Sequence, residues 1–456
     1  MFRIRESLPG PRRKIHYLGI CAYEDLTYLA PETHNRHMAV AFIRRASFAL
    51  ALLVVAGCST PNAQYQQDPG TVTVAGSDYH EGESKYRLRA IEFDEQGVRW
   101  SNEQRSAALA AVRDTARQPL VIVFIHGWHH NARSDDTDLK SFDRLLAKLS
   151  ANNAAVGADI VGVYIGWRGL SAARASDVTG LLRYTSFYSR KHATDRLAGM
   201  GLTQTLYDLG NAAHRRGGHA IFVGHSFGGR ILERAIAQGL IGQSSGSAGG
   251  VAVRPPADLT LLLNPAAEAL GSRELKLALQ GWEGNTPPII SLTSRNDSAT
   301  KIAWPLATKA TSLFDRGYRP LEKGVSERRY VTATAGHLPL VIDRQVTPAP
   351  APPSETPSDA VQWNLQFATA RCIRAANAWW QIEEVGESND PNVPYVINGE
   401  QARGYWIVQV PKEIINGHGG IFNESAIDFI AGLYKLCRAE IRAERKVRLA
   451  PVLLQE

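Results

Sequence analysis

The residues best suited to chemistry lie in the run Ala220-Ile221-Phe222-Val223-Gly224-His225-Ser226-Phe227-Gly228-Gly229, which continues as RILERAIA. An apolar strand pattern runs into GHSFGG and out into a helical pattern, the setting of a nucleophile elbow. Such a turn is so sharp that only small residues fit on either side of the serine, whose hydroxyl is left exposed above a sheet. G-x-S-x-G recurs by chance; the strand before it and the helix after it make the signal specific. A serine hydroxyl is a weak nucleophile at neutral pH. It needs a base within hydrogen-bond reach, and the base needs an acid to orient it. The chemistry expected is attack of Ser226 Oγ on a carbonyl carbon.

About a hundred residues upstream, Leu120–Ile125 ends in His126-Gly127-Trp128. With the elbow, this HG dipeptide after an early apolar strand resembles the α/β-hydrolase superfamily. The resemblance covers roughly residues 118–300 and 400–440 and is weakest over 315–400. It implies an oxyanion hole formed by the N–H groups of Trp128 and Phe227, with His126 and Gly127 shaping the loop and His126 bracing it without transferring protons. It also implies the chain order serine, acid, histidine. Asp297, in SRNDSATKIAWP after the apolar run Pro288–Thr293, stands where the superfamily places its acid, with Glu268 and Asp315 as rivals. His418, in IINGHGGIFNESAIDFIAGL, sits in a small-residue loop between a strand and a closing amphipathic helix, where the superfamily places its base. His337, in TATAGHLPL after the strand-like run Tyr330–Thr334, is the competing histidine. The implied activity is hydrolysis of carboxylic esters or related acyl groups, on a small-molecule or lipid substrate, through an acyl-enzyme. This chemistry requires no metal or organic cofactor. Acyltransferase, peptidase and thioesterase chemistry share the machinery, and a non-catalytic envelope protein using the fold as a binding module is the competing class.

The elements that must position these residues are legible as short apolar runs, each followed by a helical pattern. The runs are Leu120–Ile125, Ile160–Ile165, Ala220–Val223, Leu259–Leu263, Ile289–Leu292 and Tyr405–Val410; the helical patterns cover about 138–149, 192–214, 227–239, 268–280, 300–314 and 424–445. Continuous apolar strands alternating with helices predict an α/β fold, a mostly parallel sheet covered on both faces. KYRLRAIEFDEQGVRW (85–100) alternates around Gly97 and predicts a hairpin or two opening strands. Asn102 is placed to cap a helix through about Arg117. The Pro-rich 347–358 excludes itself from a core. Trp167 and Arg168, with Tyr184, Phe187 and Tyr188, are candidates to line an acyl or alcohol pocket, packing being the alternative. Trp379-Trp380, in a late insertion, is expected either as a lid or rim or on a helix docked by its aromatics. His129 and His130 extend the loop to HGWHH, read as a polar rim.

The chain has 456 residues, 44% hydrophobic and 21% charged, with 4 Cys. That length can bury a core without disulfide staples, and the spread of charge excludes bulk disorder. From Met38 the sequence reads MAVAFIRRASFALALLVVAGCSTP: two arginines, an apolar stretch of about a dozen residues, then Val55-Ala56-Gly57-Cys58. This is the order of a secretory signal, too short to span a bilayer. Its end resembles the lipobox of bacterial lipoproteins, which implies cleavage before Cys58 and lipidation of its thiol, with Ser59 favouring the outer membrane, facing the periplasm. The expected organisation is an upstream extension (1–37) with Met38 the true start, a signal peptide (38–57), a tether (58–84) and one domain (85–456) with an insertion at about 315–400. In an oxidising compartment Cys372 and Cys437 could pair or remain buried thiols. The net charge of +7 falls to +3 from Cys58 onward, since eight basic and four acidic residues precede it. Little basicity remains to argue for a nucleic-acid partner, and none is expected.

Overall fold

The structure, a computed structural model, describes residues 61–437 apart from 81, 152–156, 171–179, 246–254, 283–285, 313–316, 322–324, 350–371, 376–377 and 386–402. The chain divides at Cys58, and the described residues all lie in the second unit, Ser59–Glu456. The upstream extension, the signal and Cys58 lie outside the described residues. No helix among the described residues is long and apolar enough to cross a membrane.

The second unit is a mixed α/β structure built on one ten-stranded, mostly parallel sheet. Its strands are β1 (Tyr86–Glu92), β2 (Pro119–Ile125), β3 (Asp159–Gly166), β4 (His219–His225), β5 (Leu259–Leu263), β6 (Ile289–Ser294), β7 (Arg344–Ala349), β8 (Cys372–Ala375), β9 (Ala378–Glu384) and β10 (Tyr405–Val410), in the order β1-β3-β2-β4-β5-β6-β10-β7-β9-β8. The first eight strands in that order pair parallel, and β9 and β8 add an antiparallel edge. The helices are α1 (Asn102–Arg113), α2 (Thr137–Ala151), α3 (Gly180–Leu197), α4 (Met200–Arg215), α5 (Phe227–Ser245), α6 (Ala269–Ala278), α7 (Trp304–Thr311), α8 (Glu327–Thr332) and a closing helix, α9, over 424–437.

The central strands are apolar throughout because each is buried on both faces. In β2, Val121, Val123 and Ile125 join a core with residues of α1, α4, α5 and α6, while Leu120, Ile122 and Phe124 join a core with residues of α2 and α9. Successive side chains point to opposite faces, so a strand covered by helices on both sides needs apolar residues at every position.

The sheet's order reverses between β2 and β4: the chain leaves β2 for β3 on one side and β4 for β5 on the other. In an open α/β sheet, the crevice beyond the carboxyl ends of strands at such a switch point is where ligands bind. His126 and Gly127 follow β2 and Ser226 follows β4 at that point.

Several elements differ from the sequence reading. Within 85–100, Tyr86–Glu92 forms strand β1, parallel to β3, and the chain then folds back around Gly97 in a short turn closed by an antiparallel bridge, Phe93 to Arg99, with Asp94 N–H donating to Val98 O and Trp100 N–H to Glu92 O, both at 2.9 Å. The expected hairpin is thus confined to the residues around Gly97, and β1 itself pairs with β3. Ser101, not Asn102, caps α1: its hydroxyl accepts from the N–H groups of Glu103 and Gln104, and the helix ends at Arg113. The expected 192–214 helix is two helices, α3 and α4, parted at Gly199, whose extended backbone caps α4. The 300–314 helix opens as a π-helical turn, Ala299–Ala303, before α7. Tyr330–Thr334 is not a strand, since Tyr330 lies in α8 and is fully buried.

The late segment is not only an insertion over the body. It supplies β7, β8 and β9, which widen the sheet beyond β10. The buried Asp343 fastens this edge: Oδ1 accepts the Ile407 N–H at 2.7 Å, and Lys276 Nζ lies 3.4 Å from its carboxylate. Pro348 pairs with Trp380 within the sheet, and Trp379-Trp380 lies on strand β9 instead of a lid or helix. The Trp380 indole donates to the Ala375 carbonyl at 3.1 Å. The 61–80 stretch of the expected tether runs against the domain. The N–H groups of Tyr65 and Gln66 both donate to the Glu92 carboxylate at 2.8 Å, Gln66 Nε2 donates to the Ala132 carbonyl at 2.7 Å, and Val72 and Tyr79 are buried. Cys437 is buried, and the side chain of Cys372 lies outside the described residues.

Candidate active site

Ser226 occupies the turn between β4 and α5 with φ +55°, left-handed backbone that an L-residue adopts only when its surroundings enforce it. They do so through three backbone bonds: Ser226 N–H donates to Leu263 O at 3.0 Å, and Ser226 O accepts from Arg230 N at 3.2 Å and Ala266 N at 3.0 Å. The flanking glycines are required by space. A Cβ on Gly228 would lie 2.0 Å from the Ile125 carbonyl oxygen, so only glycine lets α5 begin this close to the end of β2.

β4, β6 and β10 are parallel, so their carboxyl ends face one edge of the sheet and bring Ser226, Asp297 and His418 together. His418 Nε2 lies 2.9 Å from Ser226 Oγ, and His418 Nδ1 lies 2.8 Å from Asp297 Oδ2. A carboxylate only accepts, so Nδ1 carries the proton and the bare Nε2 accepts from the serine hydroxyl. Asp297 is fully buried. Its Oδ1 accepts the N–H groups of Ala299 at 2.9 Å and Thr300 at 3.2 Å, and Oδ2 accepts the Thr300 hydroxyl at 2.6 Å. Burial alone would raise its pKa, but the hydrogen bond and charge of His418 and the Thr300 donors outweigh it and hold the carboxyl below its ordinary value.

The loop bearing His418 is fastened by groups from three strand ends. Asn264, fully buried just after β5 with φ +45°, donates from Nδ2 to the carbonyls of Gly417 at 3.0 Å and His418 at 2.9 Å, and its Oδ1 accepts Ser294 N–H at 2.8 Å. His225 Nε2 lies 3.0 Å from the His418 carbonyl, and Asn296 Oδ1 accepts the Gly417 N–H at 3.0 Å.

The loop after β2 approaches from the other side. His126 is fully buried, which pushes its pKa down to about 4 and keeps it neutral. Its Nδ1 is 2.9 Å from the Gly127 carbonyl, its Nε2 accepts Trp167 N–H at 3.0 Å, and the Trp167 indole donates to His126 O at 3.0 Å. The two rings stack 5.4 Å apart and 3° from parallel. His126 therefore braces the loop. Trp167, named as a pocket candidate, is only 3% exposed and locks His126 in place instead of lining a pocket. Gly127 passes so close to the elbow that a Cβ there would lie 2.9 Å from Ser226 Cβ. The backbone N–H of Trp128 meets no acceptor among the described residues. Phe227 holds the first position of α5, where a helix leaves its N–H groups without internal partners.

Trp128, Phe187, Phe227 and Trp304 form an aromatic cluster beside the serine, with Phe187 at the centre, 5.5 Å from both Phe227 and Trp304 and 5.8 Å from Trp128. Tyr188 packs on Phe187 and donates its hydroxyl to Ala307 O at 2.7 Å, tying α3 to α7. Arg168 pairs with Glu95 at 2.6 Å, and the side chain of Tyr184 lies outside the described residues. His130 pairs with Asp136 at 3.2 Å and lies 3.5 Å from Asp138. Of the rival acids, Glu268 is engaged by Lys191 at 2.8 Å and by Arg230, and Asp315 lies outside the described residues.

Sequence reasoning missed Asn264, Thr300 and His225 as supports. Asn264 directly follows an apolar strand, at the same strand-end position as Ser226, which was the available signal.

No protein-family model matches the chain, and no curated protein sequence matches it. Among solved structures, the "Crystal Structure of TT1662 from Thermus thermophilus" is similar at a TM-score of 0.23 and 14% identity, covering 43% of this chain and 74% of that one. A likeness of that strength bears on neither fold nor function.

Proposed function

We propose that this chain is a serine hydrolase of the α/β-hydrolase fold, cleaving carboxylic esters or related acyl groups. The observation that carries the reading is one continuous chain of hydrogen bonds, Ser226 Oγ to His418 Nε2 at 2.9 Å and His418 Nδ1 to Asp297 Oδ2 at 2.8 Å, at the switch point of a parallel sheet.

In the proposed reaction, Ser226 Oγ attacks the carbonyl carbon as His418 Nε2 takes the hydroxyl proton. Asp297 keeps the proton on Nδ1 and offsets the positive charge of the imidazolium. The carbonyl oxygen becomes an oxyanion facing the N–H groups of Trp128 and Phe227. Two preorganised donors there lower the barrier by several kcal/mol, each being worth roughly 3 kcal/mol. His418 then gives its proton to the leaving alcohol as the carbon–oxygen bond breaks, and the same base activates water to release the acid from Ser226.

The signal pattern and Cys58 support an envelope location, with the chain held to a membrane by lipid on that thiol. Hydrolysis of p-nitrophenyl esters of increasing acyl length tests the activity. Turnover by the wild type and none by Ser226→Ala supports it, and equal turnover by the two contradicts it. Incorporation of radiolabelled palmitate, lost in Cys58→Ala, tests the anchor.

A further inference from the structure

A second histidine stands behind Asp297. His337 closes a short 3₁₀ turn, Ala335–His337, and its Nε2 lies 3.1 Å from Thr300 Oγ1. The Thr300 hydroxyl has one proton and gives it to Asp297 Oδ2 at 2.6 Å. At His337 the same oxygen must therefore accept, so Nε2 of His337 carries hydrogen. The polar chain runs from His337 through Thr300, Asp297 and His418 to Ser226, with steps of 3.1, 2.6, 2.8 and 2.9 Å.

The turn carrying His337 is clamped from several elements. Thr334 Oγ1 donates to Thr300 O at 3.1 Å, Gln409 Nε2 of β10 donates to Gly336 O at 3.0 Å, and Thr334 bridges to Glu268. Gly336 sits against Thr293 of β6, where a Cβ would come within 2.0 Å of the threonine hydroxyl. A histidine needed only to fill space would not require fastening to the strands that carry both Asp297 and His418.

Resting on the hydrolase reading, we infer that His337 is a positioning residue. It orients the Thr300 hydroxyl so that its proton points at Asp297 Oδ2, which fixes the carboxylate in the plane that holds the His418 tautomer. Chains of hydrogen bonds in a low-dielectric interior polarise and orient one another. Burial pushes the His337 pKa down to about 4, so it donates as a neutral imidazole and adds no second positive charge beside His418. The charges acting on His337 are those of Asp297, Lys301 and His418; His225, with Asp138 behind it, faces His418 from the opposite side.

The test is the second-order rate of Ser226 modification by a fluorophosphonate probe, followed from pH 5 to 9 with thermal melts in parallel. It compares wild type, His337→Leu, His337→Gln and Thr300→Val. Without the donated proton, Oδ2 concentrates more charge on His418. His337→Leu and Thr300→Val should slow labelling about tenfold at neutral pH and move its acid limb up by about half a unit. His337→Gln, whose amide N–H can reach the same oxygen, should recover to within about threefold of wild type. Wild-type rates and limbs in His337→Leu and Thr300→Val overturn the inference, as does a Gln variant as impaired as the Leu variant. If wild type itself fails to label at Ser226, the hydrolase reading falls and this role falls with it. If wild type labels and the variants match it, only this role falls.

Discussion

Replacing Asn264 should release the His418 loop while leaving Ser226, His418 and Asp297 in the chain. Its side chain makes three hydrogen bonds, to Gly417 O, His418 O and Ser294 N–H, with no part exposed to solvent. Truncation strands the Gly417 carbonyl and the Ser294 N–H, whereas the His418 carbonyl keeps its contact with His225. Leaving a buried polar group unsatisfied costs about 1–3 kcal/mol, a cost that falls on the buried Ser294 N–H, since the half-buried Gly417 carbonyl can turn to water. The backbone at φ +45° adds a second effect. Alanine there pays roughly 1–2 kcal/mol that glycine avoids. Asn264→Gly therefore isolates the hydrogen bonds, and Asn264→Ala adds the strain. Urea unfolding should rank wild type above Gly above Ala, with Ala about 1 kcal/mol below Gly. A displaced imidazole also loses its alignment with Ser226, and fluorophosphonate labelling should slow about a hundredfold in both variants. Wild-type stability and labelling in Asn264→Gly would refute this account of how the loop is held.

Three further outcomes follow from the same geometry. Gly127→Ala puts a methyl 2.9 Å from Ser226 Cβ, and since both sides of that contact are fixed by backbone, folded protein should lose about a hundredfold or more in p-nitrophenyl ester hydrolysis; undiminished turnover would show the approach to be slack. Asp297→Asn, whose amide can present a donor to Nδ1 and favour the wrong tautomer, should lower ester turnover by about 10⁴ with little change in KM, and a loss under about tenfold would mean that another group orients His418. His126 should stay neutral until about pH 4 in ring-proton NMR, and titration near 6.5 would contradict its burial. A histidine with a depressed folded pKa binds its proton more readily when unfolded. As pH falls from 6.5 toward 4, His126 therefore removes about 3 kcal/mol of stability, a loss complete below its folded pKa, while the raised pKa values of the buried Glu92, Glu233 and Asp343 act in the opposite sense.

What could be read from the sequence follows from where physical constraints are local. The central strands are apolar at every position because both faces are covered, and Tyr405–Val410 and Leu259–Leu263 appear in the structure with those bounds. Ser226 is legible because the elbow demands small neighbours at fixed offsets. The supports around it obey no local rule. Asn264 and His337 make their contacts across separations of 154 and 37 residues, set by how the chain folds back on itself, and Thr300, though only three residues from Asp297, becomes a support only once that aspartate is known to face His418. His337 looked like a competitor of His418 because it too follows a strand-like run, Tyr330–Thr334, which is in fact mostly helical; their roles differ because the turn bearing His337 packs behind Asp297, and the loop bearing His418 faces the serine. The late sheet edge was hidden for another reason. β7 begins at the charged Arg344 and contains Pro348, and it joins the sheet through Asp343 instead of through an apolar run.

The central claim is that Ser226 is a nucleophile activated by His418. Purified protein treated with a fluorophosphonate probe, digested and mapped by mass spectrometry tests it most directly, with Ser226→Ala and His418→Ala alongside. One modified serine is expected, Ser226, with no labelling of Ser226→Ala and at least about a thousandfold slower labelling of His418→Ala. Folded wild type that does not react, or Ser226→Ala that labels equally, would contradict it.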